Sequence, residues 1–167
     1  AWDLCLLGDG PDHQALLQHA ADLGLWTHAC CPWDPDRPRR SAPGVLFPGF
    51  RQLEELPRFY AHAAAFIHPA LSEPWGLVIN EAMASGLPIL SSRNVGAAEE
   101  LVDPAVNGFC FDARSADAIT EALIRLASLP PEQLKAMGAA SDALIEQRRP
   151  TAAFGEGLLQ LLNLPPR

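Results

Sequence analysis

Two glutamates, Glu73 and Glu81, stand eight positions apart with Pro74-Trp75-Gly76-Leu77-Val78-Ile79-Asn80 between them. An ionised carboxylate is an acceptor with two oxygens, and a vicinal diol offers it two donors. The segment between the two suits a different group. Ala64–His68 reads as a strand, Leu71 to Gly76 as a polar loop, and Leu77–Ser85 as a short helix that stops at Gly86. The free N–H groups of such a helix's first turn point back into the loop, and the helix dipole adds partial positive charge. A strand–loop–helix junction of this kind suits an anion. Gly76 carries no side chain, so a phosphate could approach its backbone closely. The order carboxylate, helix N-terminus, carboxylate therefore matches a hydroxyl-rich sugar, a diphosphate and a ribose. A plainer reading fits the same residues: Glu73 as a partner of the helix dipole and Glu81 as a capping group.

The elements that must hold this junction alternate. Short apolar runs and helical patterns succeed one another, as in βαβ units built on a parallel sheet. Strands are expected at Trp2–Leu7, Thr27–Cys31, Val45–Phe47, Ala64–His68, Pro88–Ser91 and Gly108–Phe111. Helices are expected at Asp12–Leu23, with Ala15, Leu16, Ala20 and Leu23 on its apolar face, and at Leu53–Ala61, Leu77–Ser85 and Gly96–Val102. Three more should follow at Ser115–Ser128, Pro131–Gln147 and about Thr151–Leu162. Pro32 to Pro43, rich in Pro, Asp and Arg, is a surface loop. The predicted fold class is α/β, a Rossmann-like three-layer sandwich with a mostly parallel sheet.

The segment from Glu73 to Gly86 resembles the signature of the family-4 glycosyltransferases: two glutamates eight apart, an aromatic-Gly-Leu between them, and Glu-Ala-Met-Ala-Ser-Gly-Leu-Pro from Glu81 onward. Other segments agree with that family in order. Leu7-Gly8-Asp9-Gly10-Pro11 resembles a strand–turn. Phe47-Pro48-Gly49-Phe50, followed by Leu56 and Tyr60, resembles the next unit. Asn94-Val95-Gly96 with Glu100, then Asn107-Gly108-Phe109, resembles the closing loop and strand. The resemblance covers most of residues 4–162 and implies one lobe of a two-lobed GT-B enzyme. The whole of residues 1–167 would be its C-terminal sugar-nucleotide-binding domain, without the acceptor domain and the first βα unit of this lobe.

The resemblance also implies roles. Glu73 would hold hydroxyls of the donor sugar as the catalytic-site carboxylate, and Glu81 the ribose hydroxyls. Backbone N–H groups of Trp75, Gly76 and Leu77 would meet the diphosphate or the sugar, and Gly96 would let its loop approach the phosphates. The base would lie near Phe50 and Arg51, at the carboxyl end of the third strand, where open parallel sheets generally bind ligands. The implied reaction moves a sugar from a nucleoside diphosphate donor, UDP- or GDP-linked, to an acceptor hydroxyl, with retention and without metal or other cofactor. One departure stands out. The family carries an Arg and a Lys that clamp the diphosphate in the missing unit, and this chain has no Lys before Lys135. Arg51 is a candidate substitute, while Arg93 reads as a solvated surface residue. The fragment alone is expected to be inactive. A non-catalytic sugar-nucleotide sensor and a sugar-nucleotide epimerase of the same architecture are the alternatives.

Other signals are weaker. Asp34-Pro35-Asp36 spells a DxD, but in a Pro/Arg loop rather than at a strand end with further oxygen ligands. His13, His19, His28 and His62 show no ligand spacing, and His68 ends a strand close to Glu73. Gly8-Asp9-Gly10 lacks the third glycine of a dinucleotide fingerprint, since position 13 is His. The 167 residues amount to one domain's worth, 49% are hydrophobic, and the net charge of −8 argues against nucleic acid as a partner. Cys30 and Cys31 are adjacent and poorly suited to disulfides; Cys5 and Cys110 read as small buried hydrophobes. No apolar stretch reaches about 18 residues, so no transmembrane segment is expected. The expected location is the cytoplasm, free or at a membrane surface when full length.

Overall fold

The computed structural model describes residues 2–37, 42–104 and 106–148. They form two compact units, divided between His62 and Ala63. The first unit contains β1 (Leu4–Leu7), α1 (His13–Asp22), β2 (Trp26–His28), β3 (Gly44–Gly49) and α2 (Leu56–His62). The second contains β4 (Phe66–His68), α3 (Leu77–Ala84), β5 (Ile89–Ser92), α4 (Gly96–Leu101), β6 (Gly108–Phe111), α5 (Ala116–Ala127) and α6 (Pro131–Gln147). Strands and helices alternate up to β6 except that β2 leads directly to β3, and among the described residues every strand pairing is parallel. The pairing is sorted into two three-stranded sheets, ordered β1-β3-β2 and β4-β5-β6. The helix expected at about Thr151–Leu162 lies outside the described residues.

In the first unit β3 is central, and Val45, Leu46 and Phe47 are buried. Ala20 of α1 joins Val45 and Phe47 in a small core, with Leu6 and Leu17 packed on it. The apolar face of α1 is thus turned from the expected one. Leu16 and Leu23 are exposed, and Leu17, three residues before Ala20, takes the core position. Two adjacent leucines both satisfy helical spacing, so periodicity alone does not choose between them. β2 is shorter than expected and begins at Trp26; Cys30 lies beyond it and is buried. All four cysteines are free thiols. Burial pushes the Cys5 thiol up to about 11, and burial also raises that of Cys110.

In the second unit β5 runs between β4 and β6, in register Ile67↔Leu90 and Leu90↔Phe109. All of Ile89–Ser92 is buried. Leu90, Phe109 and Phe111 pack with Ala122 and Leu126 of α5 and Met137 of α6. Ile79, Ala82 and Met83 of α3, and Ala97 and Ala98 of α4, are almost wholly excluded from solvent. Ser115 caps α5 by accepting from Ala118 N at 3.1 Å, the usual service of a serine at that position. Among the described residues no helix is long and apolar enough to cross a membrane.

Candidate functional site

The strand β4 delivers the chain to a loop whose course is fixed from below. Glu73 forms an isolated parallel bridge with Val95. Its N–H donates to Asn94 O at 3.1 Å, and its carbonyl accepts from Gly96 N at 3.1 Å. Trp75 O accepts from Ala97 N at 2.8 Å. Residues 73–75 are therefore laid along the N-terminal turn of α4. Gly96 is what permits the approach, because a Cβ there would overlap the Pro74 carbonyl. Asn94 adds two ties: its side-chain amide donates to Leu71 O at 3.0 Å, and its backbone N–H donates to Ser92 Oγ at 3.1 Å.

Gly76 then turns the loop into α3. It is buried and left-handed, with φ +93°, which favours glycine. A Cβ on it would stand 2.8 Å from Val95 Cγ1 and 3.3 Å from Glu73 Cγ. No side chain caps the helix. Its first closing bond is the tight one from Ile79 N to Gly76 O, 2.9 Å. The N–H groups before Ile79 therefore have no partner inside the helix, as at any helix start. Leu77 is exposed on that first turn. Trp75 is partly exposed, and its indole N–H donates to Asn80 Oδ1 at 3.0 Å, which ties the ring to α3. Glu81 lies partly buried on the same helix, and its carbonyl accepts from both the N–H and the hydroxyl of Ser85.

His68, the last residue of β4, borders this loop. Its Nε2 is buried without a hydrogen-bond partner. Burial lowers its pKa below the ordinary value, and the negative charge of Glu73 opposes that shift.

Glu73, Trp75, Gly76, Leu77, Glu81 and Gly96 are thus parts of one loop–helix assembly in the second unit. Phe50 and Arg51 stand in the first unit, just past the carboxyl end of β3 as expected, and Phe50 is 67% exposed. Arg51 is engaged locally: Nη2 donates to Pro48 O at 2.9 Å, and Nη1 pairs with Glu55 at 3.3 Å. Arg93 is exposed. Asp34 Oδ1 accepts from Asp36 N at 3.0 Å, so the DxD segment folds back on itself. The supporting contacts of two residues escaped the sequence reading. Asn80 signals itself only through its spacing from Trp75, and the side chain of Asn94 acts on a carbonyl 23 residues away, at Leu71.

Residues 40–143 match the family described as "Glycosyl transferases group 1". The chain belongs to that family. Sucrose-phosphate synthase 4 of Arabidopsis thaliana is 41% identical over 86 residues, which is 49% of this chain and 8% of the plant protein. Anabaena Alr3699/HepE, solved in complex with UDP-glucose, superposes with a TM-score of 0.69 at 25% identity, covering 95% of this chain and 40% of HepE. The C-terminal domain of a glycosyl transferase group 1 family protein (LpcC) from Francisella tularensis shares the fold, with a TM-score of 0.67 at 17% identity. That likeness covers 89% of this chain and 85% of the Francisella domain. The chain therefore spans a small part of the sucrose-phosphate synthases and less than half of HepE.

Proposed function

We propose that this chain is the C-terminal, donor-binding lobe of a retaining glycosyltransferase. The full-length protein would move a sugar from a nucleoside diphosphate donor to an acceptor hydroxyl. The observation that carries the reading is the docking of the Glu73–Trp75 backbone on α4 through Gly96, which holds a carboxylate beside an uncapped helix start. Family membership and the likeness to HepE, which binds UDP-glucose, support a UDP-linked donor.

In this reading each group has one task. Glu73 accepts from hydroxyls of the donor sugar, and Glu81 accepts from the ribose diol. N–H groups of Trp75, Gly76 and Leu77 face the diphosphate, with Gly96 close to it, and Phe50 and Arg51 border the base. As the bond from sugar to diphosphate breaks, negative charge grows on the leaving phosphate. Fixed N–H groups aimed at that charge stabilise it without a metal ion. Retention follows from the family resemblance.

The test separates the two glutamates by ligand. UDP and UDP-glucose share the ribose, and only UDP-glucose has the sugar. In the full-length protein, Glu81→Ala should weaken both ligands, and Glu73→Ala should weaken UDP-glucose while sparing UDP. A hydrogen bond to a charged group is worth about 1.5–3 kcal/mol, or roughly 10- to 150-fold in affinity. Calorimetric titration reads these losses. Equal losses of UDP in the two variants, or none in Glu81→Ala, would reject the division of labour.

A further inference from the structure

Native proteins seldom keep a buried polar nitrogen unpartnered, so His68 Nε2 calls for a physical account. The ring stacks on Phe66, with centroids 6.2 Å apart, which explains its packing but satisfies no nitrogen. Its Cδ2, the carbon bonded to Nε2, lies 3.9 Å from the point where a side chain on Gly76 would begin. Glu73 Cγ lies 3.3 Å from the same point. The imidazole and the stem of Glu73 therefore flank one small space, which exists because residue 76 is glycine. Burial favours the neutral ring. A neutral imidazole with its proton on Nε2 is a hydrogen-bond donor there.

We propose that His68 is a positioning residue for Glu73: with a sugar nucleotide bound, its Nε2–H donates to one carboxylate oxygen and leaves the other to the sugar hydroxyls. The inference rests on the assignment of Glu73 to the donor sugar. A flexible carboxylate in front of a ligand loses binding free energy each time it must be ordered. A second residue that locks it removes that cost. His68 acts through Glu73 alone, so its contribution belongs to the sugar and not to the nucleotide.

The experiment compares wild type, His68→Phe and His68→Gln of the full-length protein, titrated with UDP and with UDP-glucose. Phenylalanine keeps the ring and removes the donor. Glutamine places an amide N–H where Nε2 stood. In His68→Phe, UDP-glucose should bind about tenfold more weakly, UDP should bind as in wild type, and His68→Gln should recover most of the loss. Unchanged UDP-glucose affinity in His68→Phe overturns the inference, as does an equal loss of both ligands. If Glu73→Ala binds UDP-glucose as tightly as wild type, the assignment of Glu73 fails and the inference falls with it. If Glu73→Ala loses UDP-glucose affinity and His68→Phe does not, only the inference fails. A ligand-free readout decides the case where His68→Phe does not fold. Glu73→Gln should shift the His68 ring titration, followed by NMR, to lower pH, and no shift overturns the pairing.

Discussion

Gly76 and Gly96 let Glu73 stand where it does, and the two act through different physics. Gly76 supplies a left-handed turn, where an L side chain costs about 1–2 kcal/mol before any overlap is counted, and a Cβ would also press on Val95. Gly96 supplies contact, since its missing Cβ is the space taken by the Pro74 carbonyl. Gly96→Ala should cost about 1–3 kcal/mol in urea denaturation, the range for inserting a methyl into filled space. It should also weaken UDP-glucose binding, because the displaced backbone is the one that carries Glu73. Wild-type stability together with wild-type affinity in Gly96→Ala would show that the loop is held by something else. His68 adds a pH dependence. Its pKa is lowered in the folded protein, chiefly by burial, so the unfolded chain takes up a proton first as the pH falls. The stability is complete above the ordinary value of about 6.5 and is lost as the pH drops through the lower folded value. Thermal melts of His68→Phe should therefore lose less stability than wild type on acidification across that window. The placement of the glutamates and Gly76 on one loop and helix was legible from residue type and spacing. Asn80 and Asn94 were not, because their contributions depend on which distant groups the fold brings within reach.

At the scale of elements, the sequence located the helices and strands around the site and misjudged the surroundings of some. The strands expected at Pro88–Ser91 and Gly108–Phe111 were legible, within a residue for the first, because both lie largely buried in one parallel sheet. The face of α1 was not, because Leu16 and Leu17 satisfy the same period and only packing on Phe47 and Val45 distinguishes them. The turn between α4 and β6 shows why an Asn-Gly pair sits there. Asn107 is fully buried, accepts from Asp103 N at 2.7 Å and donates to Leu101 O at 3.0 Å. Its backbone carbonyl also accepts from Ile89 N at 2.9 Å, which starts the pairing of β5 with β6. Gly108 follows because a Cβ would overlap the Ile89 carbonyl. Asn107→Ala would leave a backbone N–H and a carbonyl without partners, at about 1–3 kcal/mol for each. Leu126→Ala, in the middle of the core under α5, should cost about 2–5 kcal/mol. Both follow from denaturation midpoints. The two variants should differ in nucleotide affinity only through the folded fraction, because neither residue lies in the loop that carries Glu73.

For the molecule as a whole, the decisive quantity is how much of the reaction this chain can hold. It spans about 40% of HepE and has no Lys before Lys135. Arg51 is already bound to Pro48 O and Glu55, so recruiting it as a phosphate clamp means giving up those bonds. Transfer between two substrates requires both to be held in a reactive orientation, and that orientation can supply roughly 7–11 kcal/mol of the barrier. A lobe that binds only the donor forgoes this contribution, even with every donor contact intact. The isolated chain should therefore bind UDP-glucose weakly and transfer no sugar to an acceptor. The check is a product assay with radiolabelled UDP-glucose and a panel of acceptor alcohols, run beside a titration with the same ligand. Binding without transfer is the expected result. Glycosylated product from the isolated chain would mean that the acceptor, too, is held by these 167 residues. The assignment of the chain to a donor lobe would then be wrong even with Glu73 and Glu81 in their proposed roles.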